Sequence, residues 1–190
     1  MQRMIETARL VLQPVCVAET TELHALFVHE AVRRYLTDGA VMSPAWVEGI
    51  IRDSAISFVE RGLGLWSVRQ QGVNALIGLT GFRDFYDPPV FELLYALGPS
   101  HWHRGFATEM AQGAIDYAFP HTSCTDIRAS ADEPNQASVR VMERLGMRPC
   151  GRTSVAASTL IRWDQLHFIL SRDDWLGAAH RHEGCFSSPR

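Results

Sequence analysis

The chain reads Leu93-Leu94-Tyr95-Ala96-Leu97-Gly98-Pro99-Ser100-His101-Trp102-His103-Arg104-Gly105-Phe106-Ala107-Thr108-Glu109 where an apolar run stops and a helical pattern begins. Gly98-Pro99 ends the run, and Gly105 lets the backbone approach a ligand closely. Apolar residues then recur four apart, at Phe106, Met110, Ala114 and Ala118. A helix that begins near Arg104 directs its free N–H groups and the positive end of its dipole at the preceding turn. The stretch therefore predicts a strand, a turn that binds an anion, and a helix.

The length and composition of the chain suit one globular domain. It has 190 residues, of which 46% are hydrophobic and 21% are charged; this is enough for one sizeable core and too little for a second independent domain. After Gly177 the sequence mixes His, Gly, Ser and Pro with little periodicity, which is typical of a flexible tail. We therefore expect one domain over residues 1–176 and a tail over residues 177–190.

Charge and cysteine content indicate the kind of partner and the compartment. The net charge is −3 with the histidines counted as neutral, so the chain has no basic field of the kind that nucleic-acid binding requires. The four cysteines form no Cys-x-x-Cys pair and suit reduced, buried thiols. No apolar run has the length of a signal-peptide core or a membrane span. We expect a cytoplasmic protein that binds neither nucleic acid nor a membrane.

The order of patterns along the chain predicts an α/β fold. Ser43-Pro44 is a strong helix start, with Ser as the N-cap and Pro at the first position. The remaining elements follow from alternation and helical spacing. The predicted strands cover residues 9–15, 65–69, 75–82, 90–97, 126–131, 153–161 and 166–171, and the other predicted helices cover 19–36 as one or two pieces, 104–119 and 135–145. This order predicts a mixed sheet with helices on both faces.

Taken alone, the turn from Trp102 to Thr108 has two interpretations. It is either a phosphate site or an ordinary strand-to-helix loop, in which glycine is common. It lacks the Lys-Ser/Thr ending of a nucleotide P-loop and the three-glycine spacing of a Rossmann fold, which weakens both nucleotide-binding hypotheses.

Two further polar features have competing interpretations. Glu92 interrupts an apolar strand, so it either faces solvent or lies in a cleft where a raised pKa lets it accept a proton near neutral pH. Alternation alone favours the solvent face. The segment Asn135-Gln136-Ala137-Ser138 opens a helix after a strand, and its pattern alone favours helix capping over a role in a site.

Taken together, these residues resemble the GNAT superfamily of acetyl-coenzyme A dependent N-acetyltransferases. The similarity is greatest to the branch that includes the ribosomal-protein N-terminal acetyltransferases, and it covers nearly the whole chain. It implies a mixed, mostly antiparallel central sheet of about seven strands with helices on both faces. The stretches that carry it are Glu6-Thr7-Ala8-Arg9-Leu10-Val11-Leu12, Trp102-His103-Arg104-Gly105-Phe106-Ala107-Thr108-Glu109, Asn135-Gln136-Ala137-Ser138, Val141-Met142-Glu143-Arg144-Leu145-Gly146-Met147 and Ser171-Arg172-Asp173-Asp174-Trp175.

The resemblance implies a binding site for acetyl-coenzyme A and no metal. Ala96 and Leu97 would pair with the pantetheine arm as though it were another strand, and Asn135 would contact that arm or cap its helix. The family usually has Gln or Arg where this chain has Trp102, a departure that leaves a backbone-based site intact. Backbone N–H groups would bind the pyrophosphate from His103, Arg104, Gly105, Phe106, Ala107 and Thr108.

The resemblance also implies catalytic roles in direct attack by an amine. Glu92 matches a strand position where some family members carry a base. The position of the family's usual tyrosine is Met142, which cannot donate a proton, so the acid role passes to Ser138, which matches a serine that the branch uses near the sulfur.

The resemblance favours a protein or peptide α-amine as the acceptor. A small-molecule amine is nearly as well supported. Met142 in place of tyrosine motivates a third reading, a non-catalytic module that binds acyl-coenzyme A. The protein is expected to be a monomer or a homodimer.

Overall fold

The computed structural model describes residues 3–85, 89–155 and 162–183, and one sheet runs through them. The strands lie side by side in the order β1-β2-β3-β4-β5-β6-β8-β7. Every neighbouring pair is antiparallel except β5 with β6. The strands are β1 (Ile5–Glu6), β2 (Leu10–Pro14), β3 (Leu65–Gln70), β4 (Leu76–Phe85), β5 (Val90–Leu97), β6 (Asp126–Asp132), β7 (Arg148–Thr153) and β8 (Gln165–Ser171).

Helices cover both faces of this sheet. They are α1 (Thr20–Val28), α2 (Glu30–Leu36), α3 (Pro44–Glu60), α4 (Phe106–His121), α5 (Gln136–Arg144) and α6 (Arg172–Glu183). Residues of α1, α2 and α3 pack with Leu94 and Ala96 on one face, and residues of α4 and α5 pack with Leu93 and Leu97 on the other. No helix in the described ranges is both long enough and apolar enough to cross a membrane.

The predicted fold class is confirmed. The sheet is mixed and mostly antiparallel, as expected. The described residues form eight strands, and the one added to the expected seven or so is the two-residue strand β1, which pairs with Val11 and Leu12 at one edge. The predicted start of α3 is also confirmed, since the side chain of Ser43 accepts a hydrogen bond from the N–H of Trp46 at 3.2 Å.

The strand that the sequence predicts over residues 153–161 overlaps the described structure only at residues 153–155, of which Thr153 alone is in a strand. The structure has β7 at Arg148–Thr153 instead, and residues 156–161 lie outside the described ranges. The sequence pattern does not predict β7 because it contains Pro149 and Gly151, and both residue types are rare in regular strands. They are tolerated because β7 is an edge strand whose pairing with β8 shifts register between them.

The last helix continues past the domain boundary that the sequence predicts at residue 176. Ser171 accepts a hydrogen bond from the N–H of Asp174 at 3.1 Å, and two aspartates occupy the first turn of α6. Residues 177–183 are therefore helical rather than part of a flexible tail, and the rest of the predicted tail, residues 184–190, lies outside the described ranges. Gly177 lies inside α6, so the helix end that this glycine predicts does not occur there.

A polar cluster joins the turn between β1 and β2 to the first turn of α4. Glu109 accepts hydrogen bonds from Thr7 Oγ1 at 2.6 Å, from the N–H of Arg9 at 2.8 Å and from Arg9 Nε at 2.6 Å. Arg9 Nη1 also donates to the carbonyl of Arg104 at 3.0 Å. Desolvation raises the pKa of Glu109, but these hydrogen bonds outweigh it and hold the pKa below its usual value. The cluster fixes the chain that leads into α4.

Candidate active site

The parallel strands β5 and β6 diverge soon after they meet. Their described pairing is confined to Glu92 opposite Arg128, whereas β5 stays paired with β4 along its whole length. Beyond Glu92, the edge of β5 that faces β6 therefore has no strand partner in the described structure. Backbone groups on such an edge can pair with an extended ligand as they would with another strand.

The turn between β5 and α4 holds two residues in the left-handed conformation. His103 has φ +60° and Gly105, the N-cap of α4, has φ +79°. The first N–H groups of α4 have no partner within the helix and lie at the positive end of its dipole. The guanidinium groups of Arg9 and Arg104 lie over the ring of Phe106, 4.5 and 4.8 Å from its centroid. This turn suits an anion such as a diphosphate.

Glu92 lies inside the protein, on the face of the sheet that α1, α2 and α3 cover. Its exposed fraction is 4%, so the solvent-facing position that alternation alone favours is wrong. Ser130 Oγ donates to Glu92 Oε2 at 2.7 Å. Burial raises the pKa of Glu92, and the Ser130 hydrogen bond and the charge of Arg128 oppose this effect. A carboxylate in this state is suited to accept a proton.

Asn135 and Ser138 meet at the start of α5. Asn135 Oδ1 accepts a hydrogen bond from the N–H of Ser138 at 3.2 Å, so Asn135 caps the helix as its pattern predicts. The hydroxyl of Tyr95 lies 2.7 Å from Ser138 Oγ and 3.0 Å from the Ser138 carbonyl oxygen. Burial raises the pKa of Tyr95 well above its usual value despite the Ser138 hydrogen bond, so the phenol stays protonated. The pair joins β5 to α5 across the divergence.

Tyr95 is the site residue that sequence reasoning missed. It has the same strand phase as Leu93 and Leu97, which pack in the core against α4, so its pattern is that of a core residue. Its contact with Ser138 links positions 43 residues apart, and no local signal indicates it. Met142 is fully buried and has no hydroxyl, whereas Tyr95 brings a hydroxyl from β5 to the start of α5.

Strand alternation separates the two polar groups of β5. Glu92 shares its phase with Leu94 and Ala96, which face α1 and α3, whereas Tyr95 points to the α4 and α5 face. The gap between β5 and β6 therefore has a buried carboxylate on one side of the sheet and a pair of hydroxyls on the other. A reactive group in this gap could receive an amine from one side and release a leaving group toward the other.

Sequence comparison assigns the family. The acetyltransferase (GNAT) domain family matches residues 9–148. The chain belongs to the GNAT acetyltransferases. This GNAT chain is 26% identical over 149 residues to the uncharacterized N-acetyltransferase YoaA of Bacillus subtilis (strain 168), which corresponds to 78% of this chain and 84% of YoaA.

Solved structures share the GNAT fold. An acetyltransferase of the GNAT family from Bacillus anthracis has a TM-score of 0.73 at 22% identity, covering 90% of this chain and 99% of that one. RimL, a ribosomal L7/L12 alpha-N-protein acetyltransferase in complex with coenzyme A, has a TM-score of 0.75 at 16% identity, covering 90% of this chain and 99% of that one. At these identities the likeness shows the fold.

As a GNAT acetyltransferase, the protein is an acyltransferase that depends on acetyl-coenzyme A. The residues present fit this co-substrate, because the unpaired edge of β5 leads directly to the turn before α4. Of the predicted cofactor residues, Ala96 and Leu97 lie at the end of this edge, and residues 103–108 form the turn and the start of α4. Among the described residues, no group of three or more His, Cys, Asp or Glu side chains is arranged to hold a metal ion.

Gly105→Ala tests the turn before α4, and Gly146→Ala is its matched control. Both glycines have left-handed backbones, with φ +79° and +75°, so each alanine costs about 1–2 kcal/mol of stability through strain. Only Gly105 belongs to the turn. We expect G105A to weaken coenzyme A binding about tenfold, a loss of about 1.4 kcal/mol, and G146A to bind as wild type in isothermal titration calorimetry. Wild-type affinity in G105A would remove this turn from the cofactor site.

Proposed function

We propose that the protein transfers the acetyl group of acetyl-coenzyme A to a primary amine by direct attack, without a covalent enzyme intermediate. Family membership supports the class of reaction. The observation that carries the proposal is the divergence of β5 and β6 beyond Glu92 and Arg128, between a buried carboxylate and a half-buried hydroxyl pair. The thioester would lie in that gap, where its carbonyl carbon meets the amine.

Binding of the co-substrate would use backbone groups more than side chains. The N–H groups of residues 103–108 would bind the pyrophosphate, and Ala96 and Leu97 would pair with the pantetheine arm. The indole of Trp102 donates to the carbonyl of Leu97 at 2.7 Å, which fixes the end of β5 beside this arm. Because Asn135 Oδ1 already caps α5, its amide NH₂ is the group left to reach the pantetheine.

Glu92 is the proposed base. A primary amine is mostly an ammonium ion at neutral pH, and it must lose a proton before its nitrogen can attack. The raised pKa of Glu92 makes its carboxylate a better proton acceptor, and the hydrogen bond from Ser130 holds that carboxylate at the gap. The C–N bond then forms, the C–S bond breaks, and the nitrogen loses its second proton, which balances the proton that the coenzyme A thiolate takes up to become the thiol.

Ser138 is the proposed donor to the leaving thiolate. Its Oγ–H would donate a proton or a hydrogen bond to the sulfur as the C–S bond breaks. Tyr95 would act through Ser138 as a positioning residue, because its phenol stays protonated and holds Ser138 Oγ at 2.7 Å. In this arrangement Tyr95 donates a hydrogen bond and does not itself ionise.

The acceptor that we favour is the α-amine of a protein or peptide. The support is the sequence resemblance to the N-terminal acetyltransferase branch and the fold shared with RimL. A small-molecule amine is the first alternative. The second is a non-catalytic acyl-coenzyme A binding module, motivated by Met142. A cytoplasmic location and a monomeric or homodimeric state belong to the same proposal.

Thiol release from acetyl-coenzyme A in the presence of peptides and amines tests the function and the base together. We expect wild-type protein to release the thiol, and Glu92→Gln to lower the rate by about 10²–10⁴-fold with unchanged coenzyme A affinity. Because the base must be deprotonated, the wild-type rate should rise with pH through the raised pKa of Glu92. The loss of rate in E92Q should become smaller at pH values above the pKa of the amine, because the amine is then already deprotonated and needs no base.

Two outcomes would contradict these assignments. Binding of acetyl-coenzyme A without thiol release on any acceptor would favour the non-catalytic module. A pH–rate profile that is the same in E92Q and wild type would remove Glu92 as the base. Glu143→Gln, at an exposed position on α5, is the matched control and should leave the profile unchanged.

Ser138→Ala and Tyr95→Phe test the hydroxyl pair. We expect both substitutions to lower kcat and to leave the KM for acetyl-coenzyme A nearly unchanged. Because Tyr95 acts through Ser138, the double variant should be no slower than S138A alone. Additive losses, or a wild-type kcat in S138A, would show that the two hydroxyls do not act as a unit on the leaving group.

A further inference from the structure

A second polar cluster lies at the end of β6. Asp132 has an exposed fraction of 6%, and Gln165 lies opposite it on β8 and hydrogen bonds to its carboxylate. Neither Asp132 Oδ2 nor Gln165 Oε1 has a hydrogen-bond partner in the described structure. Both atoms are buried acceptors, and leaving such atoms unpaired is unfavourable. The cluster therefore requires a hydrogen-bond donor.

A nearby carboxylate makes this position negative. Asp38 lies in the turn after α2, and its charge acts on Asp132. Desolvation first, and the Asp38 charge second, raise the pKa of Asp132 to about 6. Neither carboxylate forms an ion pair with a described residue. The donor that suits two carboxylates and an amide oxygen is a cation with several N–H groups.

The arginines near the Asp38 turn make other contacts. Arg33 Nη1 donates to the carbonyl of Gly39. The guanidinium of Arg162 lies over the ring of Trp163, 5.4 Å from its centroid. Arg162 Nη1 lies beside Gly39, but neither arginine forms an ion pair with Asp38 or Asp132.

The cluster lies on the same face of the sheet as Glu92. Ser130 donates a hydrogen bond to Glu92. Asp132 follows Ser130 by two residues on β6, so the side chains of Ser130 and Asp132 point to the same face of the sheet, about 7 Å apart along the strand. A molecule with one nitrogen at Glu92 and a second at Asp132 would lie along β6.

We propose that Asp132, Asp38 and Gln165 form a subsite for a second positive charge on the acceptor amine. This inference rests on the proposed acetyl transfer, with the reacting nitrogen at Glu92, beside Ser130, and the second cation at Asp132, about 7 Å from Ser130 along β6. The ligand class is a dication of that span, which is either a diamine or a peptide whose first residue is lysine. Because Asp38 is exposed, the cation would enter past its carboxylate.

The test compares each dicationic acceptor with a singly charged one of the same shape. Cadaverine is paired with pentylamine, and a lysine-initiated tetrapeptide with its norleucine-initiated counterpart, with EDTA present to exclude bridging metal ions. We expect wild-type protein to prefer one of the dications by about tenfold or more in kcat/KM, which corresponds to about 1.4 kcal/mol. A preference for cadaverine over pentylamine identifies the acceptor class as a diamine, and a preference for the lysine peptide over the norleucine peptide identifies it as a peptide.

Asp132→Asn should abolish this preference through the KM of the dication and leave the singly charged acceptor nearly unchanged. Asp173→Asn, at an exposed position on α6, makes the same change in net charge and should keep the preference. If D132N does not fold, Asp38→Asn provides the same comparison at an exposed position. A preference that survives the substitution, or an equal loss for both members of a pair, overturns the subsite and leaves acetyl transfer intact.

Cadaverine binding measured by calorimetry separates failure of the subsite from failure of the proposed function. If wild-type protein releases no thiol with any amine, the proposed function fails. Tighter cadaverine binding by wild type than by D132N would still support the subsite. Equal binding by the two proteins would overturn it.

Discussion

The structure depends on the short pairing of β5 with β6. The two strands meet at Glu92 and Arg128 and then diverge, although each stays fully paired on its other side, β5 with β4 and β6 with β8. The outer pairings hold the two edges of the gap in place, and the Tyr95–Ser138 hydrogen bond links β5 to α5 beside it. The gap is therefore a fixed feature of the sheet, with backbone groups available to an extended ligand.

Charge is distributed unevenly along this gap. At the end formed by the turn before α4, the helix dipole and the guanidinium group of Arg104 favour anions. On the opposite side of the sheet, Glu92 and Asp132 are buried carboxylates that favour groups able to give up or share a proton. This polarity suits a reaction in which a phosphate-bearing donor meets an amine. It also explains why both carboxylates have raised pKa values, since burial disfavours their charged forms in the absence of a cation.

Local patterns in the sequence predict the parts of this fold whose causes are local. The N-caps Ser43 and Asn135 and the strand 90–97 are confirmed, because capping and alternation depend on neighbours in the chain. The edge strand β7 escapes prediction because its stability comes from pairing with β8 rather than from Pro149 and Gly151. The sequence also does not predict the surroundings of Glu92 and Tyr95. Alternation shows which residues of a strand share a face, but not which other elements will cover that face.

We place acetyl-coenzyme A at the divergence of β5 and β6. Following the backbone amide resonances of the protein by NMR during titration with coenzyme A tests this placement. We expect the largest chemical-shift changes at Ala96, Leu97 and residues 103–108, with a second group at Asn135 and Ser138 on the other side of the gap. Changes concentrated at the β1 edge or on α3, with these amides unmoved, would show that the cofactor binds elsewhere.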